Sequence, residues 1–177
     1  THDDSDGSYA LWYVTFSPDG KTAFSSAFDD TIIHWDLETG AVLRQYKEHT
    51  SGVLGVTVLD DGDRFLSHSW DESIIMWDTA TGDIIRKFEG HEHWIWSVAL
   101  SPDGKTFLSG SADKKMILWD IETGRIIREF LGHEDSVLSV DFSPDGEWAI
   151  SSGRDSLVKL WNLETGEWLR HYGGHNT

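Results

Sequence analysis

Short apolar runs of four to six residues recur along the chain, separated by polar segments rich in Gly, Asp and Thr. Within residues 91–132 the runs fall at 95–100, 106–109, 116–119 and 126–130. β-Branched and aromatic residues dominate these runs, and the Asp-Gly and Thr-Gly pairs between them favour hairpin turns. The pattern therefore predicts four short strands in this segment, forming one antiparallel sheet.

The same pattern returns every 42 residues. Tryptophans at 35, 77, 119 and 161 share this spacing, and Asp follows the first three while Asn follows the last. Thr-Gly pairs at 39, 81, 123 and 165 and histidines at 49, 91, 133 and 175 keep the same phase. A period of this length indicates a supersecondary unit that buries its apolar face only against its neighbours. We therefore expect four stacked copies of one sheet.

Distinctive residues punctuate the third copy. A Gly-His pair at 90–91 precedes its first strand, Ser111 and Asp113 precede the third strand, and a Trp-Asp pair at 119–120 closes it. With its in-phase copies, this pattern resembles the WD-repeat β-propeller family over about residues 8 to 175. The resemblance implies an all-β propeller with four four-stranded antiparallel blades per chain. We expect an acidic arm at 1–9, blades at 10–48, 49–90, 91–132 and 133–175, and a tail at 176–177.

The resemblance also implies a hydrogen-bonded tetrad in each blade, in which a Trp indole, a hydroxyl, a His and an Asp are linked in series. Such a network satisfies buried polar groups and ties the loop that leads into a blade to the turn before its third strand. The assigned members are His49, Ser69, Asp71 and Trp77 in blade 2, His91, Ser111, Asp113 and Trp119 in blade 3, His133, Asp155 and Trp161 in blade 4, and Asp29 and Trp35 in blade 1. This assignment leaves Gly153 and Ala27 at the hydroxyl positions of blades 4 and 1, and Gly7 at the histidine position of blade 1.

Four blades are fewer than the seven or eight that the resemblance implies for a closed ring. An open arc leaves two apolar faces in water, at roughly 25 cal/mol per Å². We therefore predict half of an eight-bladed homodimeric ring, with blade 4 of one copy against blade 1 of the other and His175 approaching Asp29 and Trp35. A closed four-blade monomer and a twelve-bladed assembly are the alternatives. Because the chain begins without Met, we also expect that it is part of something longer.

The resemblance places ligands over the top face, around the central channel. Two recurring positions are exposed there: the residue five after the loop His, and the residue before the tetrad Asp. With Trp94, the predicted partner-binding residues are Trp12, Phe28, Leu54, Trp70, Trp94, Trp96, Leu138 and Arg154. Tryptophan is enriched in binding hot spots, so we expect a peptide or protein site. The alternative is that several of these rings pack between blades or line the channel.

Composition narrows the classes of partner. A net charge of −17, from 31 acidic and 14 basic residues, opposes binding to nucleic acid or to an anionic membrane. The acidity fits either a solubility device on an all-β surface or a preference for basic partners. The absence of cysteine excludes disulfides and cysteine-ligated zinc, and it is compatible with the reducing cytoplasm, where we expect the protein.

Signs of catalysis are weak. The sequence has no glycine-rich phosphate loop and no nucleophile elbow. The recurring Ser, His and Asp favour scaffolding over a catalytic triad, and His91 and His93 lack the further ligands of a tight metal site. We therefore expect a non-catalytic, self-assembling interaction scaffold without cofactor or metal. The alternatives are a recently duplicated or engineered propeller fragment with no selected ligand, and a sensor segment of a larger bacterial signalling protein.

Overall fold

A computed structural model describes residues 10–173, which form sixteen strands in four sheets. The strands of blade 1 are β1 (Leu11–Phe16), β2 (Thr22–Ala27), β3 (Thr31–Asp36) and β4 (Val42–Lys47). Those of blade 2 are β5 (Val53–Val58), β6 (Arg64–Ser69), β7 (Ile74–Asp78) and β8 (Ile84–Phe88). Those of blade 3 are β9 (Ile95–Leu100), β10 (Thr106–Ser111), β11 (Met116–Asp120) and β12 (Ile126–Phe130). Those of blade 4 are β13 (Val137–Phe142), β14 (Trp148–Gly153), β15 (Val158–Asn162) and β16 (Trp168–Tyr172).

Every sheet is antiparallel and follows chain order, so each blade is a meander of three hairpins. The all-β prediction with four four-stranded blades is confirmed. Within the described residues, no helix is long and apolar enough to span a bilayer.

The Thr-Gly pairs close the hairpin between the third and fourth strands of each blade. In blade 2 the Asp78 carboxylate accepts a hydrogen bond of 2.7 Å from the Thr81 amide. Gly82 then adopts a φ of 81°, a left-handed conformation that glycine reaches without steric cost. The turn thus needs an Asp or Asn at the end of the third strand and a Gly four residues later, and all four blades provide both.

The apolar core lies between blades rather than inside any one of them. Each blade has a leading face towards the preceding blade and a trailing face towards the following one. Phe88 of the blade 2 trailing face meets Phe107 of the blade 3 leading face, with ring centroids 4.9 Å apart. Similar clusters join blades 1 and 2 and blades 3 and 4. Because side chains alternate across a strand, each blade supplies apolar residues to both of its interfaces.

The two end faces of the arc remain exposed. Val56 and Val140, on leading faces covered by another blade, are 1% and 5% exposed, whereas Val14 at the same position of blade 1 is 67% exposed. The trailing face of blade 4 is also open, because Tyr172 is 50% exposed and Phe88, at the same position of blade 2, only 1%. The four blades therefore form an open arc. The alternative prediction of a closed four-blade monomer does not agree with this structure.

Candidate functional site

Aromatic side chains form a continuous row at the top end of the blades, the end at which each first strand begins and each second strand ends. We call Trp12, Phe28, Trp70, Trp94 and Trp96 the aromatic row. Successive ring centroids lie 5.0, 4.7, 5.0 and 5.9 Å apart. These spacings are those of favourable edge-to-face and offset aromatic pairs. The row therefore crosses blades 1, 2 and 3 as one packed surface.

Exposure differs along the aromatic row. Trp12 and Trp94 are 48% and 38% exposed, while Phe28, Trp70 and Trp96 are half-buried beneath and between them. The rings contact one another, so the three residues Trp12, Phe28 and Trp70 form a closed cluster rather than an open cage. Their outer faces remain accessible. The arrangement suits a partner that lies across the rings rather than one that inserts between them.

Two further predicted residues border the aromatic row in blade 4. Arg154 is exposed, and its guanidinium carbon lies 5.6 Å from the centroid of the Trp96 ring. This distance allows a cation–π interaction. Leu138, on the first strand of blade 4, is exposed as well. Together they extend the top surface to the fourth blade.

The prediction of Leu54 as a surface contact residue is wrong. Its side chain is only 2% exposed, although Trp12 and Leu138 occupy the same position in their own blades and are exposed. The difference in exposure follows from the place of each blade in the arc. β5 contacts β1 and β2 on one side and β9 on the other, whereas blades 1 and 4 each lack a neighbour on one side.

Hydrogen-bonded tetrads link the strands beneath this surface. In blade 2, His49 Nδ1 lies 2.7 Å from Asp71 Oδ2, and His49 Nε2 lies 2.7 Å from Ser67 Oγ. The Trp77 indole N–H donates to the same Ser67 oxygen at 2.8 Å. Because an ionised carboxylate can only accept, Nδ1 donates to Asp71, and Nε2 of a neutral imidazole then accepts the Ser67 hydroxyl proton. The Trp77 indole, the Ser67 hydroxyl and both nitrogens of His49 thereby all have a hydrogen-bond partner.

Blades 3 and 4 repeat this geometry. His91 bridges Asp113 and Ser109 at 2.7 Å each, and Trp119 donates to Ser109 at 2.8 Å. In blade 4 the corresponding distances are 2.8 Å for His133 to Asp155, 2.7 Å for His133 to Ser151 and 2.7 Å for Trp161 to Ser151.

The predicted hydroxyl members, Ser69 and Ser111, are wrong by two residues. Ser67 and Ser69 lie on the same face of β6, because side chains alternate along a strand. Trp77 pairs with Phe65 across the hairpin, and its indole therefore reaches the nearer serine, Ser67. The recurrence of serine at 25, 67, 109 and 151 in all four blades was the sequence signal for this position.

Ser69 and Ser111 have a different role. Ser69 Oγ donates to the carbonyls of Ser51 and Gly52 at 2.9 Å each, and Ser111 Oγ donates to the His93 carbonyl at 3.0 Å. These bonds hold the loop before the first strand against the end of the second strand. Gly153 and Ala27 lack this tie, but blades 4 and 1 keep their tetrad hydroxyls in Ser151 and Ser25.

Blade 1 has an incomplete tetrad among the described residues. Trp35 donates to Ser25 at 2.8 Å, and Asp29 accepts hydrogen bonds from the amide and hydroxyl of Thr31 at 3.1 and 2.7 Å. No histidine of residues 10–173 bridges Ser25 and Asp29. The predicted member His175, and Gly7 at the aligned position of this chain, lie outside the described residues.

The aspartates of the three complete tetrads, Asp71, Asp113 and Asp155, are held ionised. Burial by itself raises the pKa of the Asp71 carboxyl, but hydrogen bonds from His49, Ser73 and the Thr50 amide outweigh it and lower the pKa well below its usual range. The pKa values of Asp113 and Asp155 are lowered by similar bonds against the same effect of burial. Each carboxylate is therefore a fixed acceptor at neutral pH, which suits a structural role.

A buried histidine outside the tetrads, His68, was missed by sequence reasoning. Its ring packs directly on Gly55, where a Cβ would overlap it. Burial lowers the pKa of His68 to about 3. Blades 1, 3 and 4 carry Ser26, Gly110 and Ser152 at this position, so the repeat gave no signal for a histidine.

The titratable side chains of the tetrads are engaged in hydrogen bonds with one another. Within the part of the chain that the structure describes, no three His, Cys, Asp or Glu side chains gather where they could hold a metal ion. In blades 2, 3 and 4 the tetrad serines, Ser67, Ser109 and Ser151, are buried and bonded to both a tryptophan and a histidine.

Comparison with known proteins adds a family. Residues 2–36, 40–78, 82–120 and 124–162 match the family described as "WD domain, G-beta repeat". A mouse protein, transducin-like enhancer protein 2, is 37% identical to this chain over 51 residues. The aligned segment covers 29% of this chain and 7% of that relative, so the match spans a small part of the relative's length.

Replacing Ser109 tests the corrected tetrad. We expect Ser109→Ala to reduce the free energy of unfolding by about 2–3 kcal/mol, because it leaves His91 and Trp119 with an unpaired buried group each. Ser25→Ala is the matched control and should cost about half as much, because Ser25 bonds only Trp35 among the described residues. Urea titrations at a concentration at which the chain is monomeric measure both. Equal losses would contradict the assigned roles.

The buried His68 predicts a loss of stability in mild acid. The unfolded chain binds a proton at this residue below about pH 6.5, whereas the folded chain does not until about pH 3. The free energy of unfolding should therefore fall with decreasing pH, by up to about 1.4 kcal/mol per unit from this group. Urea titrations between pH 7 and 4.5 avoid the titration of the aspartates. His68→Ser should reduce the slope without abolishing it, because burial also lowers the pKa of His34, and His93→Ser, which removes an exposed imidazole, should leave it unchanged.

Proposed function

Because the chain belongs to the WD40-repeat family, whose domains generally bind proteins or peptides, we propose that it is a non-catalytic interaction scaffold with the aromatic row as its binding surface. The observation that carries this proposal is the continuity of the row, in which five rings from three blades lie within 5.9 Å of one another in succession. Aromatic surfaces of this kind concentrate binding energy in a few residues.

The geometry of the aromatic row favours an extended or flat partner. The rings already fill the space between each other, so binding needs little rearrangement and little loss of side-chain entropy. Trp12 and Trp94 present their exposed faces near the two ends of the Phe28–Trp70 pair. A peptide lying along the row would cover both faces, and Trp94 and Trp12 are therefore the contacts expected to matter most.

Charge around the aromatic row favours a neutral or basic partner. Asp29 and Asp30 follow Phe28, and Asp71 and Glu72 follow Trp70. Burial, together with the charges of Asp29 and Asp71, raises the pKa of Asp30, so negative charge is crowded there. A basic partner would relieve this repulsion, and the net charge of −17 would speed its approach.

Self-assembly is a second function, favoured by a separate observation. The end faces carry apolar residues whose counterparts pack against a neighbouring blade at the internal interfaces. Phe16 is 69% exposed, whereas its counterparts Val58, Leu100 and Phe142 are partly buried there. A second copy placed end to end covers both faces at once and closes an eight-bladed ring with two-fold symmetry. In that ring, His175 of the partner would complete the tetrad that Ser25, Asp29 and Trp35 begin.

Selection from a displayed peptide library tests the aromatic row. We expect the chain to enrich peptides with a shared motif, and Trp12→Ala together with Trp94→Ala to weaken their binding at least tenfold, because both exposed contact faces are lost. Trp168→Ala is the control, since Trp168 is similarly exposed but lies on the outer strand of blade 4 against Lys159. No enrichment, or equal loss in the control, would favour the alternative of a propeller fragment without a selected ligand.

Sedimentation equilibrium tests self-assembly. We expect the 20.0 kDa chain to form a dimer at micromolar concentration, and Phe16→Ala to weaken it at least tenfold, because apolar contact area is lost at both junctions of the ring. Ile85→Ala, an exposed residue of β8 away from both end faces, should have no effect. Added salt should tighten the dimer by screening the repulsion between two acidic copies. A monomer at all concentrations would contradict this function.

A further inference from the structure

An arginine recurs on the fourth strand of every blade, at positions 44, 86, 128 and 170. The first three reach across to the turn between the third and fourth strands of the next blade. Arg44 Nη2 donates to the Ala80 carbonyl at 2.6 Å, and Arg86 Nη2 donates to the Glu122 carbonyl at 2.9 Å. Arg128 donates to the carbonyls of Glu164 and Thr165 at 2.7 and 3.0 Å. Each interface between blades therefore carries the same arginine latch.

The glycine of the Thr-Gly turn forms the seat of this latch. A Cβ on Gly82, Gly124 or Gly166 would lie 2.9, 2.5 or 2.8 Å from the Cδ of the seated arginine. The residue must therefore be glycine for two reasons, its positive φ and the arginine stem packed against it. Blade 1 has the same turn, and its Gly40 has a φ of 72°, but no described atom lies within 4 Å of a Cβ there. The seat on blade 1 is open.

A tyrosine adds a second donor at the junction of blades 1 and 2. The buried Tyr46 hydroxyl donates to the Thr79 carbonyl at 2.8 Å. Burial raises the pKa of Tyr46 to about 12, so the hydroxyl keeps its proton. Blades 2 and 3 have Phe88 and Phe130 at this position, whereas blade 4 again has a tyrosine, Tyr172. The position on blade 1 that corresponds to Thr79 is Leu37.

The open edge of blade 4 thus presents both donors of the junction between blades 1 and 2. Arg170 and Tyr172 are exposed, and neither makes a side-chain hydrogen bond within residues 10–173. The open edge of blade 1 presents the matching acceptors, the carbonyls of Leu37, Glu38 and Thr39. The two edges cannot meet within one open arc, because blades 2 and 3 lie between them.

We propose that Arg170 and Tyr172 of one copy dock on the 37–40 turn of a second copy and latch the two arcs together. The inference rests on the proposed self-assembly and names the polar contacts that specify it. Two-fold symmetry makes the surface self-complementary, since each copy gives the donors at one end and the acceptors at the other. The acceptors are backbone carbonyls, so the latch needs no acidic side chain on a protein that is already strongly acidic.

The test uses the 177-residue chain and its dimer dissociation constant from sedimentation equilibrium. Arg170→Ala should raise the constant at least tenfold, because a charge-assisted contact is lost at both junctions of the ring. Arg125→Ala is the control, since Arg125 is an exposed arginine of the blade 3 turn whose side chain makes no hydrogen bond to any described residue. Tyr172→Phe should have a smaller effect of about threefold, because it keeps the ring and loses only the hydroxyl.

The seat is tested from the other side of the junction. Gly40→Asn places a side chain where the arginine stem would lie, and asparagine tolerates the left-handed backbone. Gly20→Asn is its matched control, because Gly20 has a φ of 68° and equally open surroundings but lies outside the seat. We expect Gly40→Asn to weaken the dimer at least tenfold and Gly20→Asn to leave it unchanged. Urea titrations of the dilute variants confirm that each blade is folded.

The outcomes separate the latch from self-assembly itself. A dimer that Arg170→Ala and Gly40→Asn weaken more than their controls supports the latch. A dimer that Phe16→Ala weakens, while Arg170→Ala and Gly40→Asn match their controls, overturns the latch and leaves self-assembly standing. A chain that stays monomeric up to about 100 micromolar, roughly a hundredfold above a micromolar dissociation constant, overturns both.

Discussion

A four-stranded blade has two apolar faces, and its own strands cannot cover either of them. Phe107 and Trp119 illustrate the consequence, since they stack within one leading face yet become buried only because Phe88 of the preceding blade packs on them. Stability therefore resides in the interfaces, as in other repeat proteins in which neighbours supply most of the favourable energy. Trp35, which has no preceding blade, is half-buried, whereas its three counterparts are buried.

The polar elements serve the same interfaces. Each tetrad fixes the tryptophan that lines a leading face, and each arginine latch fixes the angle between one blade and the turn of the next. Hydrogen bonds specify these positions more than they stabilise them, because each replaces bonds that the unfolded chain makes to water. The cost of leaving one unmade in a buried place is larger, and this cost selects a single arrangement.

The 42-residue period was sufficient to predict the fold, because strand spacing, turn residues and blade number all follow from one repeated pattern. The tetrad hydroxyl was harder, since Ser67 and Ser69 share a face of β6 and both precede the tetrad Asp. The fourfold recurrence of serine favours Ser67, and the cross-strand register, with Trp77 opposite Phe65, explains why the indole reaches it. Leu54 shows a different limit of prediction from the repeat. The same repeat position is exposed at the ends of the arc and buried in its middle.

The arginines were visible in the sequence as a fourfold recurrence, but a surface arginine on an outer strand has many possible partners. The contacts that the first three arginines make predict the acceptors that the fourth arginine needs. A partner that covers the end of blade 4 must offer carbonyls in the place of a Thr-Gly turn. An apolar partner lacking such a turn would leave Arg170 and Tyr172 without acceptors as it excluded water from them, and buried unpaired donors oppose binding. Under the latch that we propose, the end of blade 4 would therefore discriminate among partners by rejecting apolar surfaces as well as by binding blades, so that an exposed apolar face could associate selectively.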